Sequence, residues 1–220
     1  MSLPVCLGFI EELARPNIKA GVSRQKLASD SASASSWISW QQHFGWGWYY
    51  LSTILDDYSR YIIAWKLCTT MRADDVTDTL ELALTASGCG SAKVVHKPQL
   101  LTDNGSSYVS GDLAAWLQGC GMVHVRGAPC HPQTQGKIER WHQTLKNRIL
   151  LENYYLPGDL EVQIAHFVEH YNYRRYHESL QNLTPADVYF GSGQTILLER
   201  ERIKRDTIKQ RRLQHRSKAA

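Results

Sequence analysis

The stretch Pro129–Arg148, PCHPQTQGKIERWHQTLKNR, reads as a short lead-in restricted by two prolines, Pro129 and Pro132, followed by one long helix. The helix is placed from near Thr134 to near Glu152. Ile138, Trp141, Leu145 and Ile149 recur at steps of three and four and form one apolar stripe, the face expected to pack on a sheet. Glu139, Gln143 and Lys146 fall on an adjacent face. A carboxylate, an amide and an ammonium along one side of an anchored helix suit a metal ion and a phosphate backbone. A plain solvated face has the same composition, and a glutamate near a helix start also complements the helix dipole.

Thirty-five residues separate Glu139 from Asp103 in the segment LLTDNG. Gln99–Thr102 reads as a short strand with Asp103 at its carboxyl end, where catalytic groups of parallel sheets tend to gather; Asn104–Gly105 makes the following turn. Before it, WGWYYLSTIL (46–55) and RYIIAWKLC (60–68) are rich in aromatic and β-branched residues and flank DDYS, which predicts a hairpin with Asp56 and Asp57 in its turn. Ala73–Ser87 carries Val76, Leu80 and Ala83 or Leu84 at helical spacing, with Asp74, Asp75 and Asp78 near its start. Gly111–Cys120 repeats the pattern, Gly121 stops it, and Met122–Val125 forms one more strand. After Pro157–Gly158 a helix is expected over Asp159–His177. Thr184-Pro185 then caps a short helix ending near Gly191, and a charged helix runs from Thr195. The order of elements predicts an α/β layered domain with a mixed sheet flanked by helices and a basic helical extension at the C-terminus.

At 220 residues and 43% apolar composition the chain can bury one substantial core plus an appendage. It contains no run of about 18 apolar residues, which predicts no membrane span and a cytoplasmic location. Five cysteines, an odd number without a CxxC pair, argue against a disulfide framework and a zinc ribbon. His166 and His170, four apart on a helix, could share a metal, but no acidic or thiol partner follows at ligand spacing. The net charge of +4 is uneven: residues 200–220 hold nine Lys or Arg against two acids, a tail of +7. Clustered cations of this kind suit a polyanion such as DNA.

The run GWGWYYLSTILDDYSRYIIAW, then LLTDNG, then HPQTQGKIERWHQTLK, then YNYRRYHESLQNLTPADVYFG resembles, in order, the catalytic core of bacterial insertion-sequence transposases of the retroviral-integrase type, within the ribonuclease-H-like superfamily. The resemblance covers residues 45 to the C-terminus. It implies a polynucleotidyl transferase for DNA cleavage and strand transfer, acting on transposon ends and target DNA, in which three acids hold two Mg²⁺ (or Mn²⁺) ions. Hard divalent cations take oxygen ligands, and a pair about 4 Å apart can activate the attacking hydroxyl and stabilise the leaving oxygen of an in-line displacement. Asp103 matches the second acid and Glu139 the third. Asn104 matches the turn after the second acid, and Lys137, Arg140, Gln143 and Lys146 lie where DNA phosphate is approached. A homo-oligomer is implied as well.

The first acid is not found. In the family it precedes the first glycine of GWGW by about eight residues, which in this chain lands on Trp37, and no Asp or Glu occurs between Ser31 and Ile54. Asp30 is the nearest acid, set among Ser and Ala rather than in a strand, and Asp56 and Asp57 match the family's hairpin turn rather than its ligand. Residues 1–44 have weak periodicity and a low-complexity stretch, SDSASASSW (29–37), and only Leu7–Ala14 suggests a helix. The abrupt change at Gly45 predicts three segments: an atypical, poorly ordered 1–44 that replaces the usual first strand, a core over 45–190, and a basic tail over 191–220. The expected consequence is a core with weakened or absent catalysis; the alternative is a truncated transposase that only binds DNA or co-assembles.

Overall fold

The structure, a computed structural model, describes residues 17–23, 49–70, 72–89, 98–102, 106–126, 136–149 and 156–219. The chain divides into two compact units, Met1–Ile164 and Ala165–Ala220. The first is built on a five-stranded mixed sheet of β1 (Asn17–Ser23), β2 (Tyr50–Asp56), β3 (Ile62–Cys68), β4 (Gln99–Thr102) and β5 (Val123–Arg126), in the order β3-β2-β1-β4-β5. β2 runs antiparallel to both β1 and β3, whereas β4 runs parallel to both β1 and β5.

The helices of this unit are α1 (Ala73–Ser87), α2 (Ser106–Val109), α3 (Gly111–Gly119) and α4 (Gly136–Ile149). α1 starts at Arg72, whose backbone N–H is accepted by Asp75, and stops at Gly88, which takes φ +69° as the left-handed cap. Its buried Val76, Leu80 and Ala83 pack with Ile54, Ala64, Leu100, Tyr108, Leu113, Leu117 and Met122 in one core cluster. Leu51 and Leu55, of the same inner strand β2 as Ile54, are buried too, so β2 is covered on both faces, as strands sandwiched between helices are. α4 lies against β1 and buries Ile138, Trp141, Leu145 and Ile149, the stripe expected from their spacing.

The β2–β3 turn is held by Asp56, which is 3% exposed and accepts from Ser59 N at 2.7 Å and Ser59 Oγ at 2.5 Å. Burial, opposed by these two bonds, pushes its carboxyl above the usual range. The folded state therefore binds its proton more readily than the unfolded chain does, so this group's contribution falls as pH rises through the raised value. Asp56→Ala strands the buried Ser59 donors and is expected to cost about 1–3 kcal/mol in urea denaturation. Asp56→Asn retains an acceptor, loses less, and gains relative to wild type as pH rises above the ordinary carboxylate range; equal losses for both variants would deny Asp56 this role.

Several sequence boundaries shift by a few residues. The hairpin, α1 and β4 fall where periodicity puts them, whereas the helix expected over Asp159–His177 is α5, Pro157–Tyr173. In the second unit, α6 (Pro185–Tyr189) opens on Thr184, whose hydroxyl accepts from Asp187 N at 3.2 Å while Asp187 accepts from Thr184 N at 3.0 Å. α7 (Gly193–Ala219) is the charged helix, 27 residues long. Cys68, Cys89 and Cys120 are free thiols, and burial pushes Cys68 up to about 12, leaving it unreactive.

One strand was not expected at all. Asn17–Ser23, NIKAGVS, lies in the stretch read as having no strand, and it takes the place between β2 and β4. Its alternation of Ile18, Ala20 and Val22 with Asn17, Lys19, Gly21 and Ser23 satisfies the period of two that a strand needs. The predicted helix Leu7–Ala14, the low-complexity stretch, and Asp30 lie outside the described residues.

Candidate active site

Of the two acids singled out by spacing, Glu139 stands on α4, in its first turn, exposed, while the neighbouring stripe of the helix is buried. That combination fixes the backbone and leaves the carboxylate available. Asp103, with Asn104 and Gly105, lies outside the described residues, directly after Thr102 at the carboxyl end of β4. Thr102 is fully buried, and its hydroxyl is 2.8 Å from His124 Nε2 of β5, a bond that ties the carboxyl end of β4 to the neighbouring strand. Sequence reading passed over His124, since one histidine in a short strand carries no spacing signal.

Lys137 does not extend freely from α4. Its Nζ lies 3.1 Å from Asp57 Oδ1 and donates to the Asp57 carbonyl at 2.6 Å, which fastens the start of the helix to the β2–β3 turn. Asp57, expected only to shape the turn, thus also anchors the helix that bears Glu139. Arg140 is exposed and has no ion pair among the described residues. Gln143 donates to Asn147 Oδ1 at 2.8 Å. Lys146 is half-buried, and desolvation pulls its ammonium below the usual lysine range. Beside it the His142 Nε2 is buried without a partner among the described residues, and burial pushes the imidazole down to about 3, so the ring is neutral at pH 7. The cationic character of this helix face rests on Arg140 and Lys146.

The described residues do not by themselves make a two-ion centre. Among them no three His, Cys, Asp or Glu side chains gather where they could hold a metal ion. β1 offers none: NIKAGVS contains no acid, although it occupies the strand position between β2 and β4. Its parallel register with β4 pairs Lys19 with Leu101, and two residues further along β1 stands Gly21, which faces Thr53 across the antiparallel ladder. Gly21 has no side chain to coordinate anything. His166 and His170 are both exposed on α5.

The integrase core domain family matches this chain in two overlapping profiles, over residues 38–132 and 120–185. The transposase for insertion sequence element IS629 of Shigella sonnei is 24% identical over 197 residues, covering 84% of this chain and 64% of that protein. The transposase for insertion sequence element IS904 of Lactococcus lactis is 25% identical over 143 residues, covering 64% of this chain and 54% of that one. The chain therefore spans less than two thirds of the length of either relative. Among solved structures, the HTLV-2 integrase catalytic core domain in complex with magnesium (trimeric form) superposes with a TM-score of 0.57 at 16% identity, covering 81% of this chain and 98% of that one. The mixed sheet with its flanking helices is accordingly of the ribonuclease-H-like type, and the chain belongs to the integrase core domain family of transposases and retroviral integrases.

Proposed function

We propose that the chain works in DNA transposition, engaging transposon-end and target DNA through its integrase-type core, with Asp103 and Glu139 as two of the three carboxylates of divalent-metal-dependent strand cleavage and transfer. The observation that carries this reading is the setting of Glu139: exposed, in the first turn of a helix held by four buried side chains and by the Lys137–Asp57 contact. Mg²⁺ or Mn²⁺, when bound, supplies Lewis-acid stabilisation of the phosphorus displacement. The chain's own part is to hold the carboxylate rigidly and to line its approach with Arg140 and Lys146, whose charge suits phosphate, and with Gln143, whose amide can hydrogen-bond it. Self-association belongs to this reading, since the related viral core is described in a trimeric form.

The acid-free β1 favours a second reading, in which the chain binds DNA or co-assembles with a complete transposase without cutting. A strand-transfer assay on 3′-recessed insertion-sequence ends in Mn²⁺ decides between the two. Transfer product that Glu139→Gln and Asp103→Asn both abolish supports the catalytic reading. DNA binding without product, together with no Mn²⁺-dependent rise in melting temperature, leaves the non-catalytic one.

A further inference from the structure

α7 presents its cations in an ordered way. Arg202, Arg205, Lys209, Arg212 and Arg216 follow one another at steps of three, four, three and four, which at 3.6 residues per turn places all five on one side of the helix, and all five are exposed. The row extends about 21 Å at 1.5 Å per residue, one cation for roughly every 5 Å. Its first two members are partly neutralised, Arg202 by Glu199 at 2.6 Å and Arg205 by Glu201 at 3.9 Å. No acid occurs after Asp206, and Lys209, Arg212 and Arg216 have no ion pair among the described residues.

The exposed large apolar residues of the same helix are arranged in the opposite sense. Leu198, Ile203, Ile208 and Leu213 are 62, 54, 40 and 56% exposed, and they recur at steps of five. Each such step turns about 140° around the axis, so they fall on different sides and make no stripe. A partner helix needs an apolar seam, and a membrane surface needs one apolar face opposite the basic one. α7 offers neither. What it does offer continuously is positive charge, and the complementary surface is a close-spaced row of phosphates.

We propose that the row Arg202–Arg205–Lys209–Arg212–Arg216 is a phosphate-tracking seam for duplex DNA, lying along the backbone and contributing affinity without reading sequence. This rests on the DNA-engaging reading given above and extends it to one face of one helix. Lys204, Arg211 and Lys218 supply the internal comparison: they stand seven residues apart on another side of α7, exposed, at half the density.

The test compares the full chain with two triple variants of equal charge, Lys209→Gln/Arg212→Gln/Arg216→Gln on the seam and Lys204→Gln/Arg211→Gln/Lys218→Gln off it. Binding to a fluorescent 30-base-pair duplex is followed by anisotropy across a salt series, with far-ultraviolet circular dichroism confirming equal helix content. Each released counterion contributes about 0.9 to the slope of log affinity against log salt, so the seam variant should lose about 2.7 and the other under ~1. At 150 mM salt the seam variant should bind ~10-fold or more weakly. Equal slope changes in the two variants would mean diffuse charge and overturn the seam, as would absence of duplex binding by the parent chain. Equal slope changes would leave the Asp103–Glu139 reading standing on the strand-transfer and metal assays, whereas a parent chain that binds no duplex would count against the DNA-engaging reading itself.

Discussion

Trp141→Ala should remove about 3–5 kcal/mol of folding stability, the largest single loss expected in this chain. Trp141 is 1% exposed and is the largest of the fully buried side chains among the described residues. It sits at the middle of the α4 stripe, between Ile138 and Leu145, themselves 2% and 0% exposed. Deleting the indole leaves a cavity that its neighbours can fill only in part, and the loss compares with a total stability of about 5–15 kcal/mol for a domain of ordinary size. Arg140→Ala, one residue away on the exposed side, should stay within about 0.5 kcal/mol. Urea denaturation of both variants is the measurement; a Trp141 loss below about 1 kcal/mol would mean that α4 is not held through this stripe. Since the same helix carries Glu139, the variant is also expected to lose whatever function depends on that carboxylate's placement.

Gly21→Asp should make metal binding measurable. Gly21 lies on an inner strand, two residues beyond the pair Lys19–Leu101 and across from the fully buried Thr53. An aspartate there would join Asp103 and Glu139 as the third acid of the set that the family resemblance calls for. Without metal, placing a carboxylate on an inner strand is expected to lower the melting temperature in chelator below that of the parent chain. With Mn²⁺ at about 100 times its dissociation constant, stabilisation of about 2.7 kcal/mol is expected, and Gly21→Asn should show none of it. A variant whose melting temperature ignores Mn²⁺ would place the missing ligand elsewhere than on β1.

Most of the architecture was legible in the residues because the signals were local. Val76, Leu80 and Ala83 repeat at helical spacing, Thr184-Pro185 with Asp187 spells a capped start, and Ile138, Trp141, Leu145 and Ile149 mark a buried stripe that α4 does bury. Glu139 could be singled out as a candidate because its distance from Asp103 is a property of the chain alone. The contacts that position it could not: Lys137 reaches Asp57 across 80 residues of sequence, and nothing in GKIER distinguishes a lysine that clamps a turn from one that meets solvent. β1 was missed for a different reason. Its alternation is carried by small residues, Ala20 and Gly21 among them, and a strand of weak side-chain character is specified mainly by the two ladders it completes.

That last feature has a bearing on why such a chain could persist in a cell. β2 and β4 are the two flanks of a gap, and without an occupant each would present a row of unpaired backbone groups, the surface from which strand-to-strand aggregation grows. Backbone pairing is indifferent to which side chains come along with it. NIKAGVS can therefore seal both rows without an acid among its side chains, so that protection of the sheet from aggregation rests on the strand's backbone and is separable from whatever its side chains do.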